Sequence, residues 1–95
     1  MRGNPPKAND MRFKAEIDIM PRKELLDPQG KTVAQSAGQL GIPGIQSVRI
    51  GKHISMEVEA DSQKDARQQV EDACQKLLAN LIMEQYEITR LEALA

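Results

Sequence analysis

Tryptophan is absent and there is one phenylalanine and one tyrosine, so the side chains that usually dominate core burial are almost missing. A core built from aliphatic residues must stay modest, because a chain of 95 residues buries only about two-thirds of its unfolded surface. Further burial against another copy or a partner is expected. Cys74 is the single cysteine, which excludes an internal disulfide. No CxxC and no Cys-His pairing accompanies it, so it reads as a small buried helix residue rather than a reactive thiol. His53 is the lone histidine, and a metal site would have to be completed by scattered carboxylates; none is expected. No apolar run approaches the roughly 18 residues of a membrane span, and no signal-peptide core is seen, so the expected location is cytoplasmic. Thirteen basic and fourteen acidic residues nearly cancel, which removes the electrostatic reason to expect nucleic acid or an anionic membrane as partner.

What the chain does have is alternation. Residues 1–10 hold Gly3, Pro5, Pro6 and Asn9 with little to pack, and are expected to be a disordered N-terminal extension. From Arg12, apolar Phe13, Ala15, Ile17 and Ile19 alternate with charged Lys14, Glu16 and Asp18, which predicts a strand with one wet face. Asp27 followed by Pro28 predicts a helix start, the carboxylate accepting from orphan N–H groups and proline's fixed φ suiting the first helical position. That helix runs to Leu40 and stops at Gly41, with Gly30, Ala34 and Gly38 suggesting close approach to whatever covers it. Ser62 with Asp65 predicts the cap of a second helix, whose buried stripe is Ala66, Val70, Ala73 and Leu77 with the neighbouring Cys74 and Leu78, and whose left-handed C-cap is Asn80. A last strand lies within residues 84–91, with Tyr86 and Ile88 on one face. Residues 92–95 read as a tail, leaving one domain over 11–91.

Residues 46–60 alternate as well, with Val48, Ile50, Ile54, Met56 and Val58 at even positions and Gly51-Lys52 interrupting. Matching the apolar faces across an antiparallel pair puts Ile50 opposite Ile54 and Val48 opposite Met56, so a hairpin is predicted with Gly51, Lys52 and His53 as its loop. The element order is then βαββαβ, the ferredoxin-like α+β arrangement: an antiparallel sheet with both helices on one face. Its wet face, carrying Lys14, Glu16, Asp18, Arg49, Glu57, Glu59 and Glu87, is mixed in sign. Only Phe13 and Tyr86 could stack on bases, and both belong to faces expected to be buried, which argues against RNA binding. The glycine pairs are wrongly spaced for a phosphate loop, and the helix carboxylates Asp61, Asp65, Glu71 and Asp72 read as solvated charges. No catalytic residue is expected.

Three stretches go further: Leu26-Asp27-Pro28-Gln29-Gly30, then Val48-Arg49-Ile50-Gly51-Lys52, then residues 74–80 ahead of Glu84-Gln85-Tyr86-Glu87-Ile88. In that order and spacing they resemble the PurS family, the small subunit of phosphoribosylformylglycinamidine synthase. The resemblance covers residues 11–88. It implies a non-catalytic subunit, a homodimer or higher homo-oligomer, that bridges a large synthetase subunit and a glutaminase subunit so that ammonia reaches formylglycinamide ribonucleotide. It implies no cofactor on this chain, with ATP and Mg on the synthetase. The shared motif residues, and hence the candidate partner-interface residues, are Asp27, Pro28, Gln29, Gly30, Arg49, Gly51 and Lys52. Asp27 also reads as a cap, Gly30 as a packing position and Gly51 as a turn residue, while Arg49 and Lys52 read as surface available for recognition. Glu24-Leu25 and Leu81 depart from the family's usual residues. The competing expectations are a dimeric ferredoxin-like module that senses a small metabolite and, behind it, a stand-alone small enzyme.

Overall fold

The alternation between Arg12 and Ile19 builds the middle strand of a sheet. β1 (Met11–Pro21) turns Phe13, Ala15, Ile17 and Ile19 inward, each at most 1% exposed, with the intervening charged residues facing out. The structure is a computed structural model and describes residues 11–94; the extension expected over 1–10 lies outside the described residues. β2 (Lys52–Ala60) pairs antiparallel with one side of β1, setting Ile54 opposite Ile17 and Met56 opposite Ala15. β3 (Glu84–Ala93) pairs antiparallel with the other side, so the strand order is β2-β1-β3. The β1–β3 register shifts between Glu16, which faces Arg90, and Ile17, which faces Ile88. Thr89 is the extra residue of that bulge, and its hydroxyl donates to the Glu16 carbonyl at 3.2 Å. The bulge resets the phase, so Leu91 joins Tyr86 and Ile88 against the core. Pairing then runs on to Ala93, which brings Glu92 and Ala93 into the strand instead of a tail.

α2 (Gln63–Ala73) begins where the Ser62 hydroxyl accepts from the Asp65 N–H at 3.1 Å, as the sequence predicts. Ala66, Val70 and Cys74 are fully buried beneath it. The stripe does not continue to Leu77, because the last turn widens into a π-helix over Cys74–Leu78, closed by the Ala79 N–H on the Cys74 carbonyl at 3.0 Å. Leu78 packs on the core as the stripe predicts, while the wider turn leaves Leu77 80% exposed. Asn80 is not a left-handed cap, since no described non-glycine residue has positive φ. Its side-chain carbonyl accepts instead from Ile82 N–H at 3.1 Å, and its main-chain carbonyl from Met83 and Glu84. Tyr86 donates its hydroxyl to Glu71 and accepts from Gln75 at 3.1 Å, which ties β3 to the helix.

The architecture is ferredoxin-like α+β, with β-α-β-α-β order and three strands where the sequence predicts four. The predicted hairpin is open: residues 46–50 join no ladder. Their polar contacts go elsewhere, the Ile50 N–H donating to Asp27 Oδ2 at 2.8 Å. His53 is accordingly not a loop residue but part of β2, opposite Asp18. α1 (Pro28–Gln39) likewise does not share the sheet face with α2. Gly30 is its one buried residue, while Val33 is 45% and Leu40 78% exposed.

Candidate functional site

The three motif stretches meet at one end of the sheet, beyond Pro21. Asp27 opens α1 by accepting the Gly30 N–H on Oδ1 at 3.0 Å, and its other oxygen takes the Ile50 N–H. Those two bonds, Ile50's first, hold its carboxyl below the usual range. The cap is therefore also a long-range tie between the first motif and the second. Gly30 sits so close to that second stretch that a Cβ there would lie 1.8 Å from the Val48 carbonyl oxygen. Gly51 is equally confined, since its Cβ would stand 2.2 Å from the Ile19 carbonyl oxygen. Both glycines are required by close backbone approach.

Arg49 is not on the wet face, because no strand forms there. Its half-buried guanidinium donates to the carbonyls of Leu25 at 3.0 Å, Arg22 at 2.6 Å and Pro21 at 3.3 Å, clamping the loop that leads into Asp27. Planar geometry and five donors suit arginine to such a cluster of carbonyls. Lys52 is exposed, with its ammonium 3.4 Å from the Leu78 carbonyl and 3.8 Å from Glu84. Pro28 holds the first helical position and Gln29 is exposed beside it. Asp27, Gly30, Arg49 and Gly51 thus form one interlocked junction, and Lys52 and Gln29 lie on its surface.

Arg22 belongs to the same junction, and nothing in its local sequence signals it. Its side chain donates twice to the Leu81 carbonyl, at 3.0 and 2.7 Å, and its N–H to the Met83 carbonyl at 2.9 Å. The two segments it joins carry Leu26 at 92% and Ile82 at 83% exposure, with Leu81 and Met83 also exposed. Beside Leu26 lies an open cleft of about 340 Å³, lined in part by Lys23, Glu24, Lys31, Gln46 and Ser47. Exposed aliphatic residues beside a rigid polar junction suit a protein surface better than a small reactant.

Reactive groups are not gathered there. Burial pushes the Cys74 thiol up, a hydrogen bond to Glu71 does the same for the Tyr86 phenol, and among the described residues no three His, Cys, Asp or Glu side chains are grouped to hold a metal ion. No helix of the described residues is long and apolar enough to cross a membrane.

On the open face of the sheet, His53 Nδ1 lies 2.6 Å from Asp18 and Nε2 2.6 Å from Glu16. Both nitrogens can donate only in the imidazolium form. The hydrogen bond to Asp18, then that to Glu16, raises the histidine's pKa, and the same contact lowers that of Glu16. A raised folded-state value means that this stabilisation is complete below the ordinary value of 6.5 and disappears as pH climbs through the raised one. Urea unfolding should therefore show the midpoint gap between the parent chain and His53→Gln at pH 6 shrinking by pH 9. A gap that stays constant over that range rules the imidazolium out.

The PurS family model, described as phosphoribosylformylglycinamidine (FGAM) synthase, matches residues 14–92. The phosphoribosylformylglycinamidine synthase subunit PurS of Synechocystis is 42% identical over 82 residues, covering 84% of this chain and 82% of that protein. The PurS subunit of Thermotoga maritima is 38% identical over 80 residues, covering 83% and 96%. Among solved structures, Thermus thermophilus PurS aligns with a TM-score of 0.73 at 34% identity, covering 88% of this chain and 99% of that one. A chain of the PurLQS structure from Thermotoga maritima aligns with a TM-score of 0.75 at 34% identity, covering 87% and 98%. A match that runs from β1 through β3 takes in every part of the junction, and on it this chain belongs to the PurS family of FGAM synthase subunits, which serve purine biosynthesis.

Proposed function

We propose that this chain is the non-catalytic small subunit that joins the synthetase and glutaminase subunits of FGAM synthase. The observation that carries the reading is the alignment with a chain of the PurLQS assembly, at a TM-score of 0.75 over nearly the whole of that chain. The internal arrangement is in keeping with it: Asp27, Gly30, Arg49 and Gly51 are engaged with neighbouring backbone, which leaves Gln29, Lys52 and the aliphatic side chains of Leu26 and Ile82 at the surface. On this reading the glutaminase releases ammonia from glutamine and the synthetase uses it, with ATP and Mg, to convert the amide of formylglycinamide ribonucleotide to the amidine. The small subunit works in the cytoplasm as a dimer or higher homo-oligomer, holds no cofactor and keeps the two active sites in register for ammonia transfer.

The isolated chain is then expected neither to hydrolyse ATP nor to release ammonia from glutamine. Glutamine-dependent synthase activity appears when the synthetase and glutaminase are supplemented with it. A two-partner mixture that makes the amidine from glutamine at the same rate without this chain overturns the bridging role.

A further inference from the structure

We infer that the open face of the sheet, turned away from α2, docks a basic protein surface of a partner subunit, with one arginine or lysine of that partner seated between Asp18 and Glu87. The inference rests on the subunit reading above and adds which face meets a partner and by what chemistry. A bridging subunit needs two separate contact surfaces, and the aliphatic one at the junction is only the first. Pairing across the strands puts Arg12, Lys14, Glu16 and Asp18 of β1 on the open face with His53, Glu57 and Glu59 of β2 and Glu87, Arg90 and Glu92 of β3. Six carboxylates thus meet three permanent cations, and even a protonated His53 leaves the balance negative. The whole chain has a formal net charge of only -1, so its acidity is concentrated here.

The cations of the face are already engaged. Arg12 pairs with Glu57, the Lys14 ammonium lies 3.7 Å from Glu16, Arg90 lies 3.8 Å from Glu92, and His53 is held between Glu16 and Asp18. Glu87 is left without an ion pair among the described residues and stands directly opposite Asp18. Like charges opposed across two strands are destabilising, and nothing in this chain offsets the pair. An open cleft of about 410 Å³ lies at that point, lined by Asp18, Met20, Gln85, Tyr86 and Glu87. A guanidinium or ammonium entering it meets two carboxylates and an amide, and its aliphatic stem can lie along Met20. A second copy of this chain would bring the same excess of carboxylate, and nucleic acid or an anionic membrane would bring phosphate. The surface complementary to this face is a basic protein surface.

The test is Glu87→Lys, titrated beside the parent chain against the purified synthetase and glutaminase. A lysine opposite Asp18 turns a like-charge pair into an opposite one, so the variant's melting temperature should equal or exceed the parent's. Its assembly should nonetheless weaken on the order of tenfold, because a charge contact with the partner becomes a repulsion; Glu87→Gln should fall between. Asp72→Lys makes the same change in net charge on α2, away from the face, and should assemble like the parent. Added salt should weaken the parent's complex more steeply than the variant's. A purely structural role for Glu87 does not yield a variant that is no less stable yet assembles worse. The docking face is overturned if Glu87→Lys assembles like the parent, if Asp72→Lys weakens assembly equally, or if the loss comes with a lower melting temperature. Altered sedimentation of Glu87→Lys by itself puts a second copy on this face and overturns it too. Those outcomes leave the subunit reading standing; a parent chain that joins neither partner overturns that reading and the docking face with it.

Discussion

Gly30→Ala is expected to lower the melting temperature by on the order of 15 °C, whereas Gln29→Ala, one residue earlier in the same helical turn, leaves it nearly unchanged. The added methyl would stand 1.8 Å from the Val48 carbonyl oxygen and 2.7 Å from its carbon. Both are backbone atoms, and neither has a flexible end that can swing aside. Relief requires α1 to move away from residues 48–50, and Asp27 then loses the Ile50 N–H that it accepts at 2.8 Å. Overpacking of this kind costs about 3 kcal/mol with its broken bonds counted, and each kcal/mol moves the melting point of a domain this size by about 4–8 °C. Gln29 is exposed, and a surface substitution changes stability by no more than about 0.5 kcal/mol. Parallel melts of the two variants decide the matter. If Gly30→Ala melts with the parent, the tight approach to Val48 is not a constraint in solution.

The same junction marks the border between what was legible in the sequence and what was not. Strictly local rules served well. Phe13 to Ile19 reads as a half-buried strand because alternate side chains face opposite ways wherever the strand pairs. Asp27 and Ser62 read as caps because a cap serves N–H groups only a few residues on. What alternation does not specify is the partner. Residues 46–50 carry the pattern of a strand, but whether they fold onto β2 depends on Asp27, 23 residues before Ile50, and on the room that Gly30 leaves. No local pattern encodes those contacts. A hairpin would put Arg49 on a wet face and His53 in a loop; without it, Arg49 grips residues 21–25 and His53 lies in β2. The end of α2 is similar: the π turn at Cys74–Leu78 shifts the phase of a stripe that helical spacing extends to Leu77. The family motifs, in contrast, are legible as a set, because three stretches in order are specific where one is not. Their roles were the less legible part, since a residue type alone does not separate a clamp from a contact.

Arg49→Ala is expected to cost about 3 kcal/mol and on the order of 15 °C in melting temperature, whereas Lys52→Ala stays within about 0.5 kcal/mol of the parent. Arg49 donates to three main-chain carbonyls, of Leu25, Arg22 and Pro21, and hydrogen bonds from a charged donor contribute about 1.5–3 kcal/mol each before the carbonyls find water. Partial exposure lets water recover some of that, which is why the expected loss is well below the sum of three. Lys52 reaches only a long contact to Leu78 and an ion pair at 3.8 Å, both at the surface, and such pairs are worth little. Arg49→Lys should fall between the two, because an ammonium cannot span carbonyls arranged around a planar fork. The melts then give meaning to an assembly assay with the synthetase and glutaminase. Weakened assembly by Lys52→Ala at an unchanged melting temperature identifies Lys52 as a contact residue. Weakened assembly by Arg49→Ala follows from the collapse of the loop that presents Leu26 and needs no direct contact by the guanidinium. Equal melting temperatures for Arg49→Ala and Lys52→Ala are the result that removes the clamp, and with it the reason to regard this end of the sheet as a preformed surface.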